Sequence, residues 1–306
     1  MRVASFNVNG IRAACRRGFR DWLSASAPDV VALQEVRCRP DDLPPDAFDG
    51  YELAYDAGEL AGRNGVALLT KLPPTRTFTW RDRGSPWASE GRVIGCDLAD
   101  APLTVISVYV PKGGVPAVLA PDGGGREGYT PEQLEARYQR KLAFLRLLAA
   151  ELARWRVEAE HAGRHLLVLG DFNIAHGPAD ISNWRGNLAS EGFLPAERAW
   201  LDAAAGPASS ASLLAGRHIA APALEWPPFI RPLVDVARLL HPGEDGPYSW
   251  WSWQGQSFAK DVGWRIDYHL ASPSLAALAS EAWVDKSDEA GARVSDHAPV
   301  VVDYRL

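Results

Sequence analysis

Seven short apolar runs constrain this chain more than any other feature: Val3 to Val8, Val30 to Leu33, Val66 to Leu69, Leu103 to Val110, Leu166 to Leu169, Ile266 to Leu270 and Pro299 to Tyr304. Each is β-rich and about the length of one strand. Between them the apolar period lengthens. Ile11, Cys15, Phe19, Trp22 and Leu23 share one helical face, and Leu134, Tyr138, Leu142, Leu145, Leu148, Leu152 and Trp155 share a longer one. Thr130 followed by Pro131 starts that second helix. Strands alternating with helices, and strands spaced to pair as hairpins, predict an α/β sandwich rather than a simple doubly wound sheet.

Two segments interrupt the pattern. Gly113 to Thr130 is rich in Gly and Pro and too long for a bland connection, so it is expected to border the substrate. Gly206 to Pro232, rich in Ala, Ser and Pro, reads as an insertion, because strands and acidic motifs resume after it. Residues 1–306 are therefore expected to form a single domain, with apolar residues sufficient for a substantial core. No run approaches the roughly 18 apolar residues of a membrane helix, and the first residues lack a signal core. Cys15, Cys38 and Cys96 are odd in number and not in CxxC spacing, which suggests neither disulfides nor a thiolate zinc site and points to the cytoplasm. The excess of 38 Asp and Glu over 32 Lys and Arg argues against coating nucleic acid by bulk charge. It leaves room for a basic rim around an acidic cleft.

The unusual polar residues sit at strand ends. Asn7 and Asn9 close the first run, Gln34 and Glu35 the second, Tyr109 another, and Asp171 with Asn173 another; Asp267 lies in WRIDY, and Asp296 with His297 opens SDHAPV. Singly, each fits a turn or a cap. Together, carboxylates beside buried strands are costly unless solvated, paired or bound to metal, so Glu35, Asp171, Asp267 and Asp296 suggest one convergent cluster. Glu35 and Asp296 offer hard oxygens suited to Mg²⁺; no HExxH or paired cysteines favour zinc. Phosphodiester hydrolysis needs charge neutralised by metal and by positioned donors, which Asn7, Asn173, Tyr109 and His297 can supply. Asp171 is the candidate to orient and deprotonate a water, and Asp267 the candidate to hold the His297 ring.

The motifs NVNGIRA (7 to 13), LQEVR (33 to 37), GVALLTK (65 to 71), VYVPKGG (108 to 114), GDFN (170 to 173), GWRIDY (263 to 268) and SDHAPV (295 to 300) occur in that order. This series resembles the exonuclease III family of apurinic/apyrimidinic endonucleases. LQE, GDFN and SDH alone would indicate only the wider endonuclease/exonuclease/phosphatase superfamily; NVNGIRA, YVPKGG and WRIDY narrow it. The resemblance implies a four-layer α/β sandwich, two packed sheets flanked by helices. It implies Glu35 as principal metal ligand with Asp296 and Asn9 nearby, and Mg²⁺ as the ion, with Mn²⁺ able to substitute. Asp171 would activate the water, Asn7 and Asn173 support phosphate and nucleophile, Tyr109 contact phosphate or assist the leaving oxygen, and Asp267 orient His297.

By the same resemblance, YSWWSW (248 to 253) places Trp250 with Trp264 and Ile266 in a small apolar pocket for a base-free sugar, where a normal nucleotide would not fit. Trp251 and Trp253 are expected to serve packing or surface stacking. The substrate would be double-stranded DNA with abasic sites or 3′ ends, and the enzyme a monomer. Arg12, Arg16 and Arg20, spaced i, i+4, i+8 on the first helix, are expected to grip DNA, with Lys112, Arg126, Arg137, Arg140 and Lys141 as further phosphate contacts. Two rivals stand beside this reading: a phosphoesterase of the same superfamily acting on inositol phosphates or lipid headgroups, and a DNA-binding module without catalysis.

Overall fold

The computed structural model describes residues 1–60, 62–120, 128–207, 226, 232–287 and 292–306. Its strands are β1 (Arg2–Asn7), β2 (Val30–Gln34), β3 (Glu52–Asp56), β4 (Val66–Thr70), β5 (Arg76–Thr79), β6 (Val93–Asp97), β7 (Leu103–Tyr109), β8 (His165–Asp171), β9 (Val234–Asp235), β10 (Asp267–Ala271), β11 (Ala279–Val284) and β12 (Val300–Tyr304). They form two six-stranded mixed sheets, in the orders β11-β12-β1-β2-β4-β3 and β5-β6-β7-β8-β10-β9. The helices used below are α1 (Ile11–Arg16), α2 (Phe19–Ser26), α3 (Pro131–His161), α4 (Pro195–Ala205) and α5 (Val236–Leu240).

Side-chain alternation along each strand builds the layers. In β1 and β2, Val3, Val30 and Ala32 face the second sheet, whereas Ala4, Phe6, Val31 and Leu33 face α1 and α2. In β7 and β8, Val105, Leu167 and Leu169 complete the seam between the sheets, while Ile106, Val108, Leu166 and Val168 pack under α3 and α4. The result is the four-layer α/β sandwich: helices, sheet, sheet, helices. The predicted face of α3, from Leu134 to Trp155, is buried, and Thr130 and Gln133 close a reciprocal capping box at its start.

All seven predicted runs are strands, with ends within two residues of expectation. The other five carry weaker signals. β3 and β11 have exposed positions, β5 and β9 are short, and β6 contains Gly95, where a Cβ would lie 2.2 Å from the Phe78 ring. The first helical face is a correction of another kind: it is shared by two helices, broken at Gly18 with φ 98°. Arg20 therefore leaves the stripe of Arg12 and Arg16 and pairs with Asp46. Most of the 206–232 insertion, and residues 121–127 with Arg126, lie outside the described residues.

The pairing register then sets the site. β1 and β2 are parallel, as are β7 and β8, so Asn7 lies beside Gln34, and Tyr109 beside Asp171. β10 runs antiparallel to β8 and starts at Asp267, opposite Asp171; β12 runs antiparallel to β1 and is preceded by residues 295–299. All these ends meet at one edge of the sandwich. Gly170 lets β8 approach closely there, because a Cβ at its φ of 143° would stand 2.0 Å from the Val108 carbonyl oxygen.

Candidate active site

The alternation that sends Val3 and Leu169 into the seam sends Asn7 and Asp171 there too, two periods and one period further on respectively. Directly beneath them the seam is already polar: Gln34 Nε2 donates to Ser107 Oγ at 3.0 Å, tying the two sheets together. Where the strands stop, the backbone turns through left-handed conformations at Asn9 (φ 45°), Glu35 (φ 52°) and Asn173 (φ 52°). Asn adopts this region readily, whereas for Glu it costs about 1 kcal/mol. The Glu35 turn is held by Gly10 N–H donating to the Glu35 carbonyl at 2.8 Å.

Asn7 is the bridge. Its Nδ2 donates to Glu35 Oε1 at 2.8 Å and to Asp171 Oδ2 at 2.9 Å, while its Oδ1 accepts the Asn9 N–H at 3.0 Å. Asn9 Nδ2 donates to Asp296 Oδ1 at 2.8 Å, and Trp250 Nε1 to Asp296 Oδ2 at 3.2 Å. Asp171 also receives the Asn173 N–H at 2.8 Å and Asn173 Nδ2 at 3.2 Å. His297 Nδ1 meets Asp267 Oδ2 at 2.8 Å, and its Nε2 lies 3.8 Å from Asp171 Oδ2. Ser249 Oγ donates to the same Asp267 oxygen at 2.6 Å. The structure thus gathers Asn7, Asn9, Glu35, Tyr109, Asp171, Asn173, Asp267, Asp296 and His297 from positions far apart in the chain.

Their protonation follows from that crowding. Burial pushes the Asp171 carboxyl up against the pull of His297, and Asp267 and Glu35 push it further. Burial opposes charge on His297, but Asp267, Asp171 and Asp296 outweigh it and hold the imidazolium up to about 10. Burial and the charges of Glu35 and Asp171 raise Tyr109 well above the usual phenol range, so it carries a neutral hydroxyl bonded to Glu35. Asp296 is held below the usual carboxylate range: burial resists, but His297, Asn9 and Trp250 prevail.

Two carboxylate groupings at this edge fit a hard cation. Glu35 and Asp296 are joined through Asn7 and Asn9, and Asn9, its nitrogen engaged by Asp296, has an amide oxygen left to offer. Asp171, Asp267 and His297 bring one ligand atom each within 4.8 Å of one another. His297, held as an imidazolium, donates its Nδ1–H to Asp267 and has no lone pair for a cation, which favours the first grouping.

Trp250, Trp264 and Ile266 do come together, with Trp250 and Trp264 edge to face at 6.1 Å. Ala175, Ile181, Trp184, Leu188 and Phe193 join the same cluster. Sequence reasoning missed these; the apolar residues following GDFN were the available signal. It also missed Arg265, fully buried between Trp264 and Ile266 in the chain and pinned to Asp180 at 2.7 Å and Asp235 at 2.8 Å. Trp251 packs against Phe258, and exposed Trp253 has the Arg293 guanidinium 3.6 Å from its ring centroid. Arg37, unremarked in the sequence, pairs with Glu35.

The basic residues divide. Arg12 and Arg16 are exposed and, with Gly10, Ala13 and Arg37, line a cleft of about 320 Å³. Lys112 is exposed and pairs with Glu191 at 3.2 Å. Arg140 pairs with Glu90. Arg137 is half-exposed and donates to the Gly113 carbonyl at 2.9 Å, with its guanidinium over the Tyr129 ring. One expectation is corrected. Lys141 is wholly buried and paired with Glu197, so it cannot meet a phosphate at the surface.

The chain is 28% identical over 306 residues to a DNA-(apurinic or apyrimidinic site) endonuclease of Dictyostelium discoideum, covering 99% of this chain and 71% of that one. It is 28% identical over 303 residues to an exodeoxyribonuclease of Bacillus subtilis, covering 98% of each. Its fold matches an AP endonuclease structure from Archaeoglobus fulgidus (TM-score 0.73, 24% identity) and a 3′-5′ exonuclease structure from Neisseria meningitidis (TM-score 0.74, 24% identity), each over the full length of both chains. Residues 4–297 match the sequence profile of one family, and the chain accordingly belongs to the Endonuclease/Exonuclease/phosphatase family.

Proposed function

We propose that this protein is a DNA-repair nuclease that hydrolyses the phosphodiester 5′ to an abasic site and trims 3′ ends on duplex DNA with Mg²⁺. One observation carries the reading: Asn7, through a single amide nitrogen, joins Glu35 of one sheet to Asp171 of the other. A candidate cation ligand and a candidate base are thereby fixed on either side of one point. A divalent ion held by Glu35, Asp296 and Asn9 would supply charge neutralisation at the phosphate.

The chain's own groups do the rest. Asp171 takes a proton from the attacking water, whose oxygen bonds to phosphorus as the bond to the 3′ oxygen breaks. Asn7 and Asn173 hold the Asp171 carboxylate against that water, their amide nitrogens donating to it. His297, protonated and held by Asp267, donates to a non-bridging oxygen. Tyr109, a neutral hydroxyl, gives a proton to the departing 3′ oxygen. Trp250, Trp264 and Ile266 form an apolar pocket for the sugar that lacks a base.

A duplex carrying one abasic analogue is expected to be cut once, 5′ to the lesion, leaving a 3′ hydroxyl, and EDTA is expected to stop the reaction until Mg²⁺ is restored. Hydrolysis of an inositol polyphosphate with the duplex left intact would sink the assignment.

The cleft of Arg12 and Arg16 gives the grip on phosphate. Replacing both with Gln is expected to lower the slope of log binding constant against log salt by about 1 per lost contact. An unaltered slope in a filter-binding titration would reduce the pair to solvated surface.

A further inference from the structure

Lys141 and Glu197 are each fully buried, one on α3 and one on α4, and neither reaches substrate. The ammonium donates to the Lys112 carbonyl at 3.1 Å and to the Asn173 carbonyl at 2.8 Å, and it stands 2.6 Å from Glu197 Oε1 as an ion pair. Those carbonyls belong to the loops leaving β7 and β8, the strands that end in Tyr109 and Asp171. Glu197 is itself fixed by accepting the Leu194 N–H at 2.9 Å.

The neighbouring glycines fit this arrangement. A Cβ on Gly113 would lie 2.7 Å from Lys141 Cδ, and one on Gly114 would lie 2.3 Å from the Leu134 carbonyl oxygen. Only glycines let the loop lie flat enough on α3 for Lys141 to catch it.

We infer that the Lys141–Glu197 pair is a positioning clamp that sets where Asn173 holds Asp171, an inference that rests on the nuclease reading above. Stability alone does not account for such a pair, because well-packed apolar side chains in place of a buried ion pair are commonly as stable or more so. What apolar side chains cannot do is hold two carbonyls. Asn173 is left-handed at φ 52°, so the direction of its carbonyl is tied to the direction of its N–H and side chain, both of which bond Asp171. Freeing the carbonyl lets that peptide relax and shifts Asp171 relative to the water.

The test is the double variant Lys141→Met with Glu197→Leu, which leaves no buried charge. Its melting temperature is expected to fall, because the Leu194 N–H and the two carbonyls lose their partners, while kcat on the abasic duplex falls about 100-fold, the effect of roughly 1 Å of misplacement, with KM little changed. Its crystal structure is expected to show Asn173 shifted off Asp171. Lys141→Gln with Glu197→Gln, which can still reach one carbonyl, should recover part of kcat, and it decides the matter if the first variant does not fold. Asn173 still on Asp171 with wild-type kcat in a folded variant overturns the clamp. Asn173 displaced in the variant, beside a wild-type protein inactive on the duplex, supports the clamp and sinks the nuclease reading alone.

Discussion

Asp171→Asn is expected to lower kcat on the abasic duplex by about 10³-fold, the middle of the range for a general base, while KM and fold hold. The size follows from the removal of one function. The amide cannot accept the proton of water, whereas an oxygen remains to receive the Asn173 N–H that now bonds Oδ1 at 2.8 Å. Stability should fall modestly, because the amide –NH2 takes the place of the oxygen that now receives Asn7 Nδ2 at 2.9 Å and Asn173 Nδ2 at 3.2 Å.

The pH profile supplies an independent signature. Burial, with Asp267 and Glu35, raises the Asp171 carboxyl, so the wild-type rate should fall on the acid side above the ordinary carboxylate range as the base is protonated. On the alkaline side the rate should fall as pH rises through about 10 and His297 loses its charge. Asp171→Asn should abolish the acid limb and move the alkaline one to lower pH, because one of the three carboxylates that hold His297 up is gone. A variant that retains both limbs with near wild-type turnover would remove Asp171 from the reaction.

Much of this site was legible in the sequence because it is built from strand ends. A strand that is apolar until Asn7, Tyr109 or Asp171 announces both its period and its termination, and parallel pairing of β1 with β2 and β7 with β8 carries those ends to one edge. α3 was legible for the same reason: its buried face repeats strictly, and Thr130 caps it.

What escaped depends on contacts between distant segments. Lys141 and Arg137 read as basic residues on a helix, and nothing local shows that Glu197 or the Gly113 carbonyl awaits them. Arg12, Arg16 and Arg20 have helical spacing, but Gly18 turns the chain between them, and its left-handed φ of 98° is a property of the backbone rather than of the pattern. Ile181, Trp184 and Phe193 are ordinary apolar residues until they join Trp264 in one cluster. Edge and half-exposed strands such as β3 and β11 lack the buried face that makes a period visible.

The metal assignment meets its sharpest test at Glu35, where Glu35→Ala is expected to reduce Mg²⁺-dependent cutting by at least about 10³-fold, the scale set by several kcal/mol of transition-state charge stabilisation. The fold should tolerate the change. Ala and Glu bear a similar cost at the left-handed φ of 52°, Asn7 keeps its bond to Asp171, and Arg37, partly exposed, can turn to water. The variant also separates the two carboxylate groupings, because it removes Glu35 and leaves Asp171, Asp267 and His297 within 4.8 Å of one another. If the ion rests on Glu35, the Mg²⁺ needed for half-maximal rate should rise at least about tenfold, the lower end of what lost metal-site interactions cost. If turnover and Mg²⁺ response are both unchanged, the ion belongs to the second grouping, and Glu35 merely anchors Asn7 and Arg37.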